Sequence, residues 1–407
     1  MDGNDNLSTE TKIKLPEGFL LGAASSAYQV EGNNLNADWW KFEQEGRLPK
    51  SGDACDHYNR YEEDFGIARD LGMNAFRISI EWSRIEPLEN QWNSVAVEHY
   101  RKVLKRMKEL GLNRMVTLHH FTLPQWLAER GGFENKEGVE AFARFAWFVA
   151  HNLGEEIDLW ATINEPEVYV GGGYHQGKWP PFKRSLSLAF RVEKNLVEAH
   201  KAAYRAIKEA LPGAQVGIVK NNVYYEPYRK GNPLDRAAVF LADYFGNHYF
   251  LRKVKNQTDF IGLNYYFYDR IKLELNKVRE MNFNFAQNRP EHDQVPRSDM
   301  GWRTFPEGIY HLLTDLKKYG KPIYVTENGI ANARDDMRKD FVSEHLYWIS
   351  EAIKNGADVR GYYYWSLTDN YEWADGFGPR FGLVEIDYQS QARKVRGSAA
   401  VFKEIKS

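Results

Sequence analysis

Asp70-Leu71-Gly72-Met73-Asn74, running into Ala75-Phe76-Arg77-Ile78-Ser79-Ile80, is the stretch whose reading decides the fold. Its first half reads as a helix end with glycine in the left-handed position just beyond it, and its second half as a buried strand. The phrase recurs. Glu109-Leu110-Gly111-Leu112-Asn113 precedes Met115-Val116-Thr117-Leu118, Gly320 precedes Ile323-Tyr324-Val325-Thr326, and Gly356 precedes the run from Val359 to Trp365. Gly72 and Gly111, like Gly320 and Gly356, are spaced by a little under ~40 residues, the size of one strand-plus-helix unit. Between the first two, Tyr100, Val103, Leu104, Met107 and Leu110 follow helical spacing, with Arg101, Lys102, Lys105, Arg106 and Lys108 on the other face. A second long helix is expected over about 187–211, stopped by Pro212-Gly213.

Extending the pattern outward gives strands at about 19–25, 74–81, 114–119, 159–164, 215–220, 259–265, 323–327 and 360–366. Eight buried strands alternating with helices predict an α/β fold, a single (β/α)8 TIM barrel with its active site at the C-terminal face of the strands. A doubly wound open sheet is disfavoured because no Gly-x-Gly-x-x-Gly turn follows the first strand. By length alone, 407 residues admit two or three domains. No Pro-, Ser- or Gly-rich linker divides them, so the expectation is a flexible segment over 1–14 and one catalytic barrel over 15–407. The longest irregular stretch, about 269–304, is expected as a loop over the active-site face.

Composition narrows the function. Lys+Arg total 54 against 56 Asp+Glu, which leaves no broad charge for nucleic acid or an anionic membrane. No apolar run is long enough to span a bilayer, and Met1 to Asn6 lacks the basic and apolar regions of a signal peptide, so a cytoplasmic protein is expected. Cys55 is alone, which excludes an internal disulfide and cysteine-rich zinc sites. No metal or cofactor is expected, because the His119-His120 pair lacks a His-Glu-x-x-His context. The 12 Trp, 24 Tyr and 23 Phe are an excess that asks for a role beyond core filling.

Polar residues at the C-terminal ends of barrel strands are usually catalytic. Seven of the eight predicted ends carry them: Gln29 and Glu31 after the first strand, Arg77 and Glu81 on the second, His119-His120, Asn164-Glu165, Asn264-Tyr265-Tyr266, Glu327-Asn328, and Trp365-Ser366 with Glu372-Trp373 behind. Glu165 and Glu327 each end an apolar run, where an ionised group is costly unless used or paired. Two carboxylates facing one cavity are what glycoside hydrolysis needs, one to protonate the leaving oxygen and one to attack the anomeric carbon or activate water.

At these residues the chain resembles glycoside hydrolase family 1, the β-glucosidase and β-glycosidase family. Thr162-Ile163-Asn164-Glu165-Pro166 is similar to its acid/base motif and Val325-Thr326-Glu327-Asn328-Gly329 to its nucleophile motif. Phe19 to Ala24 with Gln29-Val30-Glu31-Gly32, Arg77 to Trp82, Gly262 to Tyr266, Asp299 to Trp302, and Trp365 to Asn370 with Glu372-Trp373 also fit, over about 15–402. The resemblance implies a retaining double displacement on β-glucosides and related galactosides and fucosides. Glu327 would be the nucleophile and Glu165 the acid/base, with carboxylates about 5–5.5 Å apart. Arg77 and Tyr266 would hold the Glu327 carboxyl down, while a drier site and the charge of Glu327 would raise Glu165. Asn164 falls where the family contacts the sugar 2-hydroxyl. Gln29, His120, Asn264, Glu372 and Trp373 would bind the sugar over a Trp365 floor.

Phe381, with Trp82, Trp126, Trp179 and Trp302, would line the mouth. His119 is expected to be structural, and Trp39, Trp40, Trp147, Trp160 and Trp348 to serve core or helix packing. The implied partner is a small β-glycoside or short oligosaccharide. The same intermediate would also serve a transglycosylase, and an inactive sugar-binding barrel is a third reading. Glu372 argues against 6-phosphoglycosides, and Glu165 against a thioglucosidase. Two departures stand out. Phe121 follows His120 where many members carry Trp, and the closer likeness is to archaeal-type members. The 99 residues from Glu165 to Asn264 and the interval after Gly329 are also short, which predicts a more open aglycone region.

Overall fold

The computed structural model describes residues 13–273 and 295–406. The N-terminal segment expected to be flexible therefore lies, but for its last two residues, outside the described residues, as does the middle of the predicted 269–304 loop. The glycine phrase does what its sequence implies. After the helix Ser94–Glu109, Gly111 sits at φ 72°, its N–H donates to Lys108 O (2.9 Å), and Leu112 N–H reaches back to Met107 O (2.9 Å). Gly72 repeats this after His57–Asp70, with Gly72 N–H to Arg69 O and Met73 N–H to Ala68 O. Both are Schellman closures, which satisfy the last helical carbonyls and turn the chain into the next strand. The helix between them buries Val97, Tyr100, Val103, Leu104 and Met107 and starts at Asn93, whose side chain accepts from Val95 and Ala96 N–H.

All eight predicted strands are present: β1 Leu20–Ala24, β2 Ala75–Ser79, β3 Asn113–His119, β4 Leu159–Asn164, β5 Gln215–Asn221, β6 Phe260–Asn264, β7 Ile323–Asn328 and β8 Val359–Trp365. They pair in parallel and in sequence order, with β1 against β8, to close the barrel. Three register irregularities occur near the C-terminal ends, between Ala161 and Asn164, between Leu263 and Asn264, and between Tyr362 and Tyr364. Such shifts re-aim side chains at a barrel rim. Here one of them sets Asn264 opposite Glu327.

The second long helix runs Leu186–Ala210, with Ser185 capping it through Leu188 N–H. Two small sheets lie outside the eight strands and were not anticipated. Tyr224–Pro227 pairs in parallel with Tyr268–Ile271, and Val384–Asp387 forms a hairpin with Ala392–Val395. Among the described residues no helix is long and apolar enough to cross a membrane.

Candidate active site

Arg77 is the hub. It lies on β2 with 1% of its surface exposed, and each guanidinium nitrogen is engaged. Nη1 donates to Glu327 Oε1 (2.6 Å), Nη2 to Asn164 Oδ1 (2.7 Å) and Nε to Thr117 Oγ1 (3.0 Å). A cation this deeply buried is tolerated only when paired. Tyr266 donates its hydroxyl to the other oxygen of Glu327 (2.6 Å). Glu165 has a different setting. Asn264 Nδ2 donates to its Oε1 (2.8 Å), and Thr326 Oγ1 fixes that amide by donating to Asn264 Oδ1 (2.7 Å). Asn264 Nδ2 also lies 3.3 Å from Asn164 Oδ1, and the β6–β7 register sets Asn264 opposite Glu327.

Backbone geometry presents the two acids. Glu165 sits at φ 44°, directly before the short helix Pro166–Val170, and its N–H donates to Val219 O (2.9 Å). A left-handed glutamate is uncommon and clusters at functional sites. Beyond Glu327, a Cβ at Gly329 would strike the Trp365 carbonyl, so only glycine lets β7 and β8 approach there.

The electrostatics separate the pair. Burial, and then the charge of Glu327, push Glu165 well above the usual carboxylate range. Burial also raises Glu327, while Arg77, Tyr266 and Asn264 pull it back. The expectation that Glu327 would be held down is corrected: its neighbours reduce the elevation but do not cancel the loss of water. Glu165 remains the weaker acid of the two.

Around them the other predicted residues assemble. Asn164 Oδ1 accepts from Arg77, so its Nδ2 faces His120 Nε2 at 3.3 Å. His120 is thereby a neutral ring with its proton on Nδ1, and burial beside Arg77 lowers its pKa well below the ordinary value. Gln29 Nε2 donates to Tyr371 O (2.9 Å) and lies 3.3 Å from Glu372 Oε2. Burial, with Asp375 and Glu327 nearby, pushes Glu372 up to about 8. Trp365 and Trp373 lie nearly parallel to the His120 ring, at 5.8 and 6.1 Å. Trp39 and Trp179 pack against Trp373, and Phe381 against Tyr266 and Trp302. His119 stands apart among Phe133, Phe142 and Tyr169, and its pKa is lowered by burial to about 3.

The fit to the glycosyl hydrolase family 1 model covers residues 11–254 and 251–407. Beta-glucosidase A of Thermotoga maritima is 34% identical over 96% of this chain and 97% of that protein. A beta-galactosidase of Sulfolobus acidocaldarius is 33% identical over 97% of this chain and 95% of that protein. The solved beta-glycosidase from Pyrococcus horikoshii superposes with a TM-score of 0.89 at 42% identity, covering 97% and 95% of the two chains. The chain belongs to glycosyl hydrolase family 1.

Within this family 1 barrel some expectations shift. Glu31 and Glu81 are polar strand ends that do not join the cluster. Glu31 pairs with Arg84 (2.7 Å) and accepts from Tyr100, and Glu81 is held by Ser83 and Thr122. Trp82, read as a mouth residue, is buried, stacked on Phe145, with Nε1 donating to Glu86. Trp147, read as packing, is 40% exposed beside His151. Thr117, Thr326 and Trp39, which hold or back the central residues, were not read as part of the site. Thr326 stands only as part of the motif around Glu327, and nothing in the local sequence marks Thr117 or Trp39, because each matters through a neighbour on another element. The β5 end, Lys220-Asn221-Asn222, was also passed over, although a polar run closing an apolar strand was the signal used elsewhere.

Proposed function

We propose that this chain is a retaining β-glycosidase acting on β-glucosides and related β-galactosides and β-fucosides, with Glu327 as nucleophile and Glu165 as acid/base. The observation that carries the assignment is the unequal support of the two carboxylates. Glu327 has a guanidinium on one oxygen and a phenol on the other, while Glu165 has a single amide donor. Neighbours that push two acids apart set their roles.

In the first step Glu165 gives its proton to the glycosidic oxygen as the C–O bond breaks, and Glu327 bonds to the anomeric carbon from the opposite face. The ester removes the negative charge of Glu327, so the proton affinity of Glu165 falls. Glu165 then takes a proton from water, whose oxygen attacks the anomeric carbon and releases Glu327 as carboxylate. Two inversions give retention. In this reading Asn164 binds the 2-hydroxyl, and Gln29, His120, Glu372 and Trp373 bind the remaining hydroxyls over Trp365.

The test is a panel of p-nitrophenyl β-glucoside, β-galactoside, β-fucoside and β-mannoside, with a 2-fluoro glycosyl trap. Turnover of the glucoside and label on Glu327 are expected. Inactivity on all four sinks the reading, and label on Glu165 reverses the roles. Glu165→Ala should keep the first step for activated aglycones, with azide restoring turnover and retained stereochemistry.

A further inference from the structure

The end of β5 reaches across to the turn that presents Glu165. Val219 O accepts Glu165 N–H (2.9 Å). Asn221 N–H donates to Glu167 Oε1 (2.8 Å), and Lys220 Nζ forms an ion pair with the other oxygen of Glu167. Three successive residues of β5 thus clasp the turn, from one residue at the acid and another two positions on. The Lys220 side chain is only 2% exposed, and its ammonium also donates to Gly246 O (3.2 Å). Such a buried cation needs its counter-charge.

The charged and titratable groups facing these residues come from every side. Glu165 faces Arg77 on β2, Glu327 on β7 and Glu167 on its own turn. Glu167 faces Lys220 on β5, Glu193 on the helix Leu186–Ala210, and Tyr225 on the outer strand Tyr224–Pro227. After burial and Glu327, Glu167 is a further negative charge that raises Glu165. Without Glu167 the buried ammonium would lose its ion pair, with Glu193 the other carboxylate that faces it.

We infer that Glu167 is a positioning residue for Glu165: with Lys220 it fastens the left-handed turn to β5 and shields the acid from the lysine's charge. The inference rests on the assignment of Glu165 as acid/base. The test is the pH dependence of kcat/KM for the full chain on phenyl β-glucoside, whose poor leaving group needs the acid. In Glu167→Gln the negative charge that raises Glu165 is gone and Lys220 has lost its ion pair, so the alkaline limb should fall by about one pH unit. In the double variant Glu167→Gln with Lys220→Met both charges are gone, and the limb should move back toward its wild-type position. With dinitrophenyl β-glucoside, which needs no acid, the limb should not follow. Activity lost evenly at all pH with the limb unmoved, or a double variant whose limb stays down, would overturn the inference. Failure of the underlying assignment reads differently: Glu165→Ala would then lack azide rescue while wild-type activity stood.

Discussion

Tyr266 shows how much one hydroxyl does in this site. It donates at 2.6 Å to the oxygen of Glu327 that Arg77 leaves free, and it is itself buried. A hydrogen bond to a charged group contributes roughly 1.5–3 kcal/mol, or about ten- to a hundredfold in rate where the charge must be present to react. Tyr266→Phe should therefore lower kcat/KM by that order. Its sign in pH is definite. The lost donor raises Glu327, which as the proposed nucleophile must be ionised, so the acid limb of the profile should move to higher pH. A full profile separates this from simple misfolding, which lowers every point equally. The residue types at this scale were legible in the sequence: Arg77, Asn164, Glu165, Asn264, Tyr266 and Glu327 were all named from strand ends and motifs, and the fold brings them into one network. Which atom bonds to which was not legible, because it depends on strands that are distant in sequence.

Among the elements, two glycines test two different reasons for needing glycine. Gly111 has φ 72°, and an added Cβ there would meet nothing within 4 Å. Gly111→Ala should cost about 1 kcal/mol, through backbone conformation alone, with activity unchanged in the folded protein. Gly329 has ordinary φ, but its Cβ would collide with the Trp365 carbonyl. Gly329→Ala must part β7 from β8 beside Glu327, so it should lower kcat as well as the urea midpoint. Equal loss of activity in the two variants would contradict this distinction. Helix ends and strand starts were readable because the Schellman closure is a local device. The small outer sheets were not, since Tyr224–Pro227 and Tyr268–Ile271 pair only when the chain between them has folded.

For the whole molecule, the site is a burden on stability that varies with pH. Glu372 is raised from its ordinary range to about 8, with burial as the main cause, followed by Asp375 and Glu327. The folded state then binds a proton that the unfolded chain has released. Stability linked to this group is complete below the unfolded pKa and falls as pH rises toward about 8. Glu372→Gln cannot ionise, so its advantage in urea stability over the parent should widen from pH 5 to pH 8 while sugar binding suffers. An advantage that is constant across that range would show that Glu372 does not carry the burden.

The order of strands and helices, the barrel they close, and the chemical identity of the site were determined by the sequence itself. The signals are short-range: glycine past a helix end, apolar runs of strand length, and polar residues closing those runs. Only the tertiary structure decided which polar strand ends meet. Arg77 and Glu81 have the parity of one strand face, but β2 ends at Ser79, and Glu81 instead caps the short helix Trp82–Ile85, through Ser83 N–H. Glu31 closes the short helix Ala27–Glu31 and turns to Arg84, while Gln29 in the same helix reaches Glu372. Side chains alternate every residue along a strand, so a single register shift moves a group between core and cavity. The shift between β6 and β7 that brings Asn264 to Glu327 is settled by packing around the barrel as a whole, and no stretch of the chain encodes it alone.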